Sequence, residues 1–388
     1  MKILIIGGGA VGSIAAKFLT ESNDVEQVVL GDINPQKAKK FIIPHPKITL
    51  KTIDARDVAA LTEAAKGMDL IMNASLSFFN ENLIKAALAA GTHYQDFSSD
   101  TWQIEQLKHH QDFKKNGKIA LVNASAAPGV TNLLAAELAN GLKRIEYVKI
   151  RLLEDVSSEV PFTAWAKAIF FDQIYTKPVV WEFDKLVTRN NFSEEEIYNF
   201  PEPHLNEKCY LIPQEEISTI PKYIKTKYAD LKIGGSEMDL ARTLFKLGLF
   251  KKAPIKIGEA MLTPYDFLLK IWPDVISPDN MKKLVKSGKL HNAKFWATIE
   301  EQGIHDKKRT SRKAVILFPD QTAVNTLYPG ANYVSYSAGL CAAIFALAIP
   351  KIKDTGAFPP EAIKADIRKE IIDALRAHSV KIDITETA

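Results

Sequence analysis

The chain has 388 residues, 46% of them hydrophobic and 25% charged, with a formal net charge of +4. That length allows a large core and two domains, while a charge so small and so evenly spread argues against a nucleic-acid or membrane partner. The two cysteines, Cys209 and Cys341, stand far apart with no C-x-x-C or Cys/His cluster, which argues against structural disulfides or a metal site and for the reducing cytoplasm.

Residues 3–19 read ILIIGGGAVGSIAAKFL. Ile3 to Ile6 form a short apolar strand, and Val11, Ile14, Ala15, Phe18 and Leu19 recur at helical spacing, so Gly7, Gly9 and Gly12 fall on a strand-to-helix turn. In a dinucleotide site each glycine has a reason. Gly7 permits the tight turn, Gly9 leaves room for a pyrophosphate, and Gly12 lets the helix lie close on the strand. The first turn of that helix, at Ala10 and Val11, offers free N–H groups to the phosphates. Asp32, followed by Ile33, ends the second strand twenty residues after Gly12, where a carboxylate accepts hydrogen bonds from the adenosine ribose. Such a carboxylate repels a 2′-phosphate, so NAD is expected, with Lys37 and Lys39 keeping NADP open. The plainer alternative is a simple glycine turn, with Asp32 capping the helix begun by NPQKAKKF.

Strand and helix signals then alternate: ITLKTID, a helix at 57–66, DLIMNAS, a helix at 81–90, HYQDFSS, a helix at 101–115, and IALVNAS. Alternation with short connections means right-handed βαβ units and a parallel sheet covered on both faces, a doubly wound α/β fold of Rossmann type. Ligands of such a sheet sit outside the carboxyl ends of its strands. Asp54 and Ala55 follow the third strand, where a short polar side chain meets the adenine, although Asp54 also suits a helix cap and Asp57 suits it better. Asn73, Ala74 and Ser75 follow the fourth, small enough to pass close to the nicotinamide half or simply to turn. Asp96 and Ser98 follow the fifth. In SAAPGVTN, Gly129 opens a helix with Thr131 and Asn132 in its first turn, a place for a substrate carboxylate or an ordinary capped start.

Beyond residue 140 the rhythm changes. YVKIRLLED, VVWEFDKLV, KCYLIP and RKAVILFPDQTAV read as strands separated by long loops, and MDLARTLFKLGLF, LTPYDFLLKIWPD and MKKLVKSGKL as amphipathic helices. This is the pattern of an α+β domain. The apolar stretch at 333–349 is broken by serines and stopped at Pro350, which favours a buried helix over a membrane span. The expected division is a dinucleotide-binding domain of residues 1–130 and 332–388, with a substrate and dimerisation domain of residues 131–331 inserted into it.

Five stretches, ILIIGGGAVGSIAAKFL, GTHYQDFSSD, APGVTNLLAAELA, CYLIPQEEISTIPKYI and SYSAGLCAAIFALAI with its following GAFPPEAI, together resemble the saccharopine dehydrogenase-like family. Within it they are most similar to saccharopine reductases and lysine 6-dehydrogenases. The resemblance implies a Rossmann domain, an inserted α+β domain that encloses substrate, and NAD(P)-linked hydride transfer at a carbon–nitrogen bond of an amino acid. By position it implies that Gly7, Gly9, Gly12 and Asp32 hold the dinucleotide and that Asp96 faces the reacting centre. The second domain departs from the pattern, reading EDVSSEVPFTAW where many relatives have a glycine-rich loop, so the substrate stays open.

Oxidation of an amine requires the nitrogen to lose a proton, and Asp96 is the candidate base. A polyamine-type reductase, similar to carboxynorspermidine synthase, and a dinucleotide-binding regulator without turnover are the competing functions. Carboxylates lining the pocket favour a polyamine, and cations near Gly129 favour an amino acid; Arg151, Lys222 and Lys232 are the cations in question. The strands of the second domain leave an edge that a two-fold copy covers, so a homodimer built mainly from residues 140–330 is expected.

Overall fold

The computed structural model describes residues 1–99 and 103–387. They form two compact units: Met1–Gly141, Ser218–Lys225 and Ser335–Val380 make the first, and Leu142–Ile217, Thr226–Val334 and Lys381–Ala388 the second.

The first unit is built on a sheet of seven parallel strands. β1 (Lys2–Ile6), β2 (Gln27–Asp32), β3 (Ile48–Thr52), β4 (Leu70–Asn73), β5 (His93–Asp96) and β6 (Ile119–Leu121) lie in the order 3-2-1-4-5-6, and Gly356–Phe358 adds a seventh strand beside β6. The order reverses between β1 and β4, which opens the crevice of a doubly wound sheet at the carboxyl ends of these strands. Ile3, Leu4, Ile5, Leu70, Ile71 and Met72 are wholly buried because helices cover both faces. The helix Tyr333–Ala348 is long and apolar enough, by composition alone, to cross a membrane, but it is mostly buried in protein. It lies so close to the helix Ala10–Glu21 that a Cβ on Gly339 would stand 2.7 Å from Ile14.

Local differences from the sequence reading have local causes. The helix expected from NPQKAKKF is one turn, Pro35–Ala38, capped by Asn34. The helix expected over 101–115 is a 3-10 turn, Glu105–His109, running into His110–Lys115; its expected start at Thr101 and Trp102 lies outside the described residues.

The second unit contains a mixed sheet of nine strands. β7 (Lys143–Ser158) is central; with β8 (Val179–Glu182), β9 (Lys185–Thr188), β10 (Glu196–Tyr198), β11 (Glu207–Leu211) and β12 (Thr226–Gly234) it makes one side. After the small hairpin of β13 (Ile255–Ile257) and β14 (Ala260–Leu262), which stands apart, β15 (Leu290–His305) and β16 (Lys308–Leu317) complete the other. Only the β7–β12 pair is parallel. VVWEFDKLV, read as one strand, is a hairpin that turns at Phe183 and Asp184, both with positive φ. The final strand, Lys381–Thr387, pairs with β16 and so belongs to this sheet, a correction to the continuous 332–388 segment. Alternation divides β7: Val148, Ile150 and Leu152 face one way, Lys149 and Arg151 the other.

Candidate active site

The glycine turn has the geometry that a dinucleotide requires. Gly7 has φ +107°, and a Cβ there would stand 2.6 Å from the backbone of Ala74. A Cβ on Gly12 would lie 2.0 Å from the Gly7 carbonyl oxygen, so helix and turn touch through bare backbone. Gly9 is different: among the described residues no atom lies within 4 Å of its Cβ position, which leaves open space at the helix N-terminus formed by Ala10 and Val11. Asp32 at the end of β2 accepts from the Gly8 backbone N–H (2.9 Å) and from that of Asn34 (2.7 Å). Its carboxylate is thereby fixed beside the turn, while the neighbouring Ile33 side chain is exposed. After β3, Asp54 makes a two-pronged pair with Arg56 (2.6–3.0 Å), and those hydrogen bonds hold its carboxyl below the usual range. The helix cap falls to Asp57, which accepts from Ala60, and Ala55 is buried, its carbonyl receiving Asn82.

Behind the ends of β4, β5 and β6 runs a buried hydrogen-bond network that sequence reasoning did not foresee. Ser75 donates from both its backbone N–H and its hydroxyl to Asn73 Oδ1 (3.0 and 2.6 Å). Asn73 Nδ2 donates to Asn80 Oδ1 (2.6 Å), Tyr94 Oη stands 3.0 Å from that same oxygen, and Asn80 Nδ2 reaches the Ser98 carbonyl (2.9 Å). Asp96 is 1% exposed. Its Oδ1 accepts from the Asn123 backbone N–H (2.7 Å), and its Oδ2 faces Tyr94 Oη (3.0 Å) and Gln106 Nε2 (3.1 Å). Burial pushes the Asp96 carboxyl up to about 7 against the pull of those three donors. Gln106 also donates to Ser99, whose hydroxyl donates to Asn123. Tyr94 was legible, since it lies two residues before Asp96 and therefore on the same face of β5. Gln106 and Asn80 carry no such signal.

The helix Val130–Ala139 begins at Gly129, whose φ of +133° allows no side chain and where a Cβ would stand 2.1 Å from the Ser125 carbonyl oxygen. Thr131 and Asn132 are buried, and the Asn132 side chain is engaged throughout. Its Oδ1 accepts from the Gly129 N–H (3.2 Å), and its Nδ2 donates to Thr219 (3.2 Å) and Glu361 (3.1 Å). The Asn132 side chain thus braces the start of this helix, the capped start that the sequence reading held open beside a substrate site. Burial pushes the Glu361 carboxyl up to about 7.

The second unit holds two opposite charge arrangements. Arg151, 1% exposed, makes a two-pronged pair with Asp230 (2.8 and 3.1 Å) and a second pair with Glu196 (2.7 and 3.1 Å), to which Lys232 adds at 3.0 Å. Arg151 and Lys232 are therefore committed inside the sheet, while Lys222 is exposed on the helix Glu216–Tyr223. The other arrangement is two buried carboxyls without a cation: Glu154 on β7 and Glu237 in the first turn of the helix Ser236–Lys246. Burial raises both, Glu154 to about 7, and the charge of Glu154 raises Glu237 further. Tyr333 Oη donates to Glu237 Oε2 at 3.3 Å, and the hydroxyls of Thr163 and Tyr333 pull the Glu237 carboxyl back down, although Oε1 makes no hydrogen bond of standard geometry among the described residues. Neither glutamate was singled out in the sequence.

A Rossmann-ordered sheet with a bare glycine turn, an open helix N-terminus and a fixed carboxylate beside it defines an NAD(P)-binding fold. The saccharopine dehydrogenase NADP binding domain family matches residues 3–121, about the first third of the chain. A carboxyaminopropylagmatine dehydrogenase from Synechocystis sp. is 26% identical over 299 residues, 71% of this chain and 73% of that one. Among solved structures, saccharopine dehydrogenase (L-Glu forming) from Saccharomyces cerevisiae superposes over the whole of both chains with a TM-score of 0.73 at 13% identity. Homospermidine synthase from Legionella pneumophila, in complex with NAD, covers all of this chain and 91% of its own with a TM-score of 0.64, also at 13% identity. Both likenesses are of fold.

Proposed function

We propose that the protein moves a hydride between NAD and the carbon of a carbon–nitrogen bond in a cationic amine substrate of polyamine type. The observation that carries this reading is the buried Glu154–Glu237 pair: two carboxyls with raised proton affinity and no cation are a receptor for an ammonium or guanidinium group. The engagement of Arg151 and Lys232 removes two of the cations that an amino-acid carboxylate would need. The name of the Synechocystis relative, a carboxyaminopropylagmatine dehydrogenase, supports the same class.

In this reading Gly7, Gly9, Ala10, Val11 and Gly12 hold the pyrophosphate, and Asp32 with Ile33 holds the adenosine ribose. Asp54 and Ala55 border the adenine, and Asn73, Ala74 and Ser75 back the nicotinamide half. When bound, the dinucleotide supplies the hydride chemistry; the chain orients it. Ser98 and Gly129 edge the substrate side. Asp96, Thr131 and Asn132 are positioning residues, since their burial keeps them from meeting a substrate nitrogen or carboxylate. NAD is preferred because Asp32 is fixed where a 2′-phosphate would stand. A homodimer through residues 140–330 and a cytoplasmic location belong to the same proposal. The exposed Ile255, Ile257 and Met261 of the isolated hairpin support the former, and two free, buried cysteines fit the latter.

The test is a screen of carboxyaminopropyl amines, other polyamines, saccharopine and lysine with both dinucleotides, read by NADH or NADPH absorbance. Higher kcat/KM on the cationic amines with NAD supports the proposal. Preference for an amino acid overturns the substrate class, and NADH binding with no turnover of any amine makes the protein a regulator. Light scattering that finds a monomer at micromolar concentration removes the dimer.

A further inference from the structure

We infer that Tyr94 is a two-position hydrogen-bond switch through which Asp96 controls the turn beneath the dinucleotide. The reasoning is a count of hydrogens. A tyrosine hydroxyl has one proton to donate, yet Tyr94 Oη stands 3.0 Å from Asp96 Oδ2 and 3.0 Å from Asn80 Oδ1. The Asn80 amide is oriented by its neighbours. Its oxygen faces Asn73 Nδ2, which can only donate, and its nitrogen faces the Ser98 carbonyl, which can only accept. Asn80 Oδ1 is therefore an acceptor in every state.

Two arrangements satisfy this geometry. With Asp96 ionised, the Tyr94 proton points to Asp96, and Asn80 Oδ1 keeps only the donor from Asn73. With Asp96 protonated on Oδ2, that proton points to Tyr94 Oη, and the Tyr94 proton turns to Asn80. The proton that Asp96 takes up from solvent adds one bond to the network: the Tyr94–Asp96 bond reverses its direction and the Tyr94–Asn80 bond is formed. Protonation completes a chain Asp96–Tyr94–Asn80–Asn73–Ser75, and Ser75 and Ala74 are the residues against which Gly7 lies without a side chain. The turn that shapes the phosphate loop is thus braced by two donors at Asn80 in one state and by one in the other.

The charged and titratable groups around the switch are few. Burial first, then Asp96, and least Glu81 from the helix Asn80–Ala90 raise the Tyr94 hydroxyl, against a hydrogen bond from Asn73; Glu81 is itself engaged by His109 (2.9 Å), Lys85 and Lys108. Phe113 faces the Tyr94 ring from the helix His110–Lys115, and Gln106 and the Asn123 N–H complete the shell of Asp96. Burial puts the Asp96 carboxyl near 7, so the exchange falls inside the range where binding is measured.

The test is dissociation constants for NADH from pH 5.5 to 8.5, by fluorescence and without substrate, so that failure of the amine reading leaves it untouched. The parent protein is expected to bind about fivefold more tightly below pH 7 than above, the worth of one net hydrogen bond. Tyr94→Phe removes the proton that switches and is expected to bind at all pH values as the parent does above pH 7. Asp96→Asn cannot ionise and donates from the Oδ2 side; its binding is expected to be flat at the tight level. His109→Gln is expected to keep the parent profile, and its loss there would assign the break to the Glu81–His109 pair and overturn the inference. A Tyr94→Phe profile with the parent's break overturns it equally. Should Asp96→Asn not fold, Tyr94→Phe alone decides.

Discussion

Buried charge is handled in two opposite ways in this molecule, and the second unit shows both. In the first unit, Asp96 has donors on both oxygens, and in the second, Arg151 meets two carboxylates. These are closed arrangements, in which the cost of desolvation is offset inside the protein. Glu154 and Glu237 are the reverse: two carboxyls brought together without a cation and held by burial toward the neutral form, with one Glu237 oxygen lacking a hydrogen bond of standard geometry among the described residues. A closed network fixes geometry, while an open one gains free energy when a ligand completes it. The contrast separates residues that position from residues that bind.

The largest expected effect tests the closed side. Arg151→Met takes the two-pronged guanidinium from the buried Asp230 and leaves Lys232, 3.8 Å from Asp230 and 3.0 Å from the half-buried Glu196, as the remaining cation; it is expected to cost about 3 kcal/mol in urea unfolding, and a loss under 1 kcal/mol would show the network to be dispensable. Gly12→Ala places a methyl 2.0 Å from the Gly7 carbonyl oxygen, strain of about 3 kcal/mol that weakens NADH binding about a hundredfold and lowers the Tm. Gly9→Ala, with open space around it, is expected to keep the Tm and lose only affinity, so equal Tm losses in the two variants contradict the assignment of Gly9 to the ligand.

A third measurement uses pH. The Glu361 carboxyl titrates at about 7 in the folded chain, above its usual 4.5. Its contribution is fully present below the unfolded value and is lost as pH rises through 7. Glu361→Gln is therefore expected to raise stability by about 1–3 kcal/mol at pH 8 relative to the parent and to give no gain at pH 4. A gain of the same size at both values would trace to packing instead. The smallest effect on stability tests the open side: Glu237→Gln relieves repulsion and is expected to leave the Tm unchanged or slightly higher while raising KM for a cationic amine about tenfold. A drop in Tm like that of Arg151→Met would place Glu237 among the structural charges and erase the contrast.

The amino-acid sequence by itself determined the alternation of strands and helices to residue 125, the glycine turn, and the place of Asp32 at the end of β2. These depend on neighbours within about twenty residues and on periodicity, which a linear text records. It also carried the family resemblance. Tertiary structure alone decided that β15, sixteen residues with no clean apolar alternation, is the long antiparallel partner of β7, and that Lys381–Thr387 closes the second sheet. It decided that Asn132 reaches Thr219 and Glu361, that Gln106 meets Asp96, and that Glu154 and Glu237, far apart in the chain, share a buried place. Each of these turns on which side chains long-range pairing brings together and which of their polar atoms remain unsatisfied; hydrophobic period and local propensity contain no record of either.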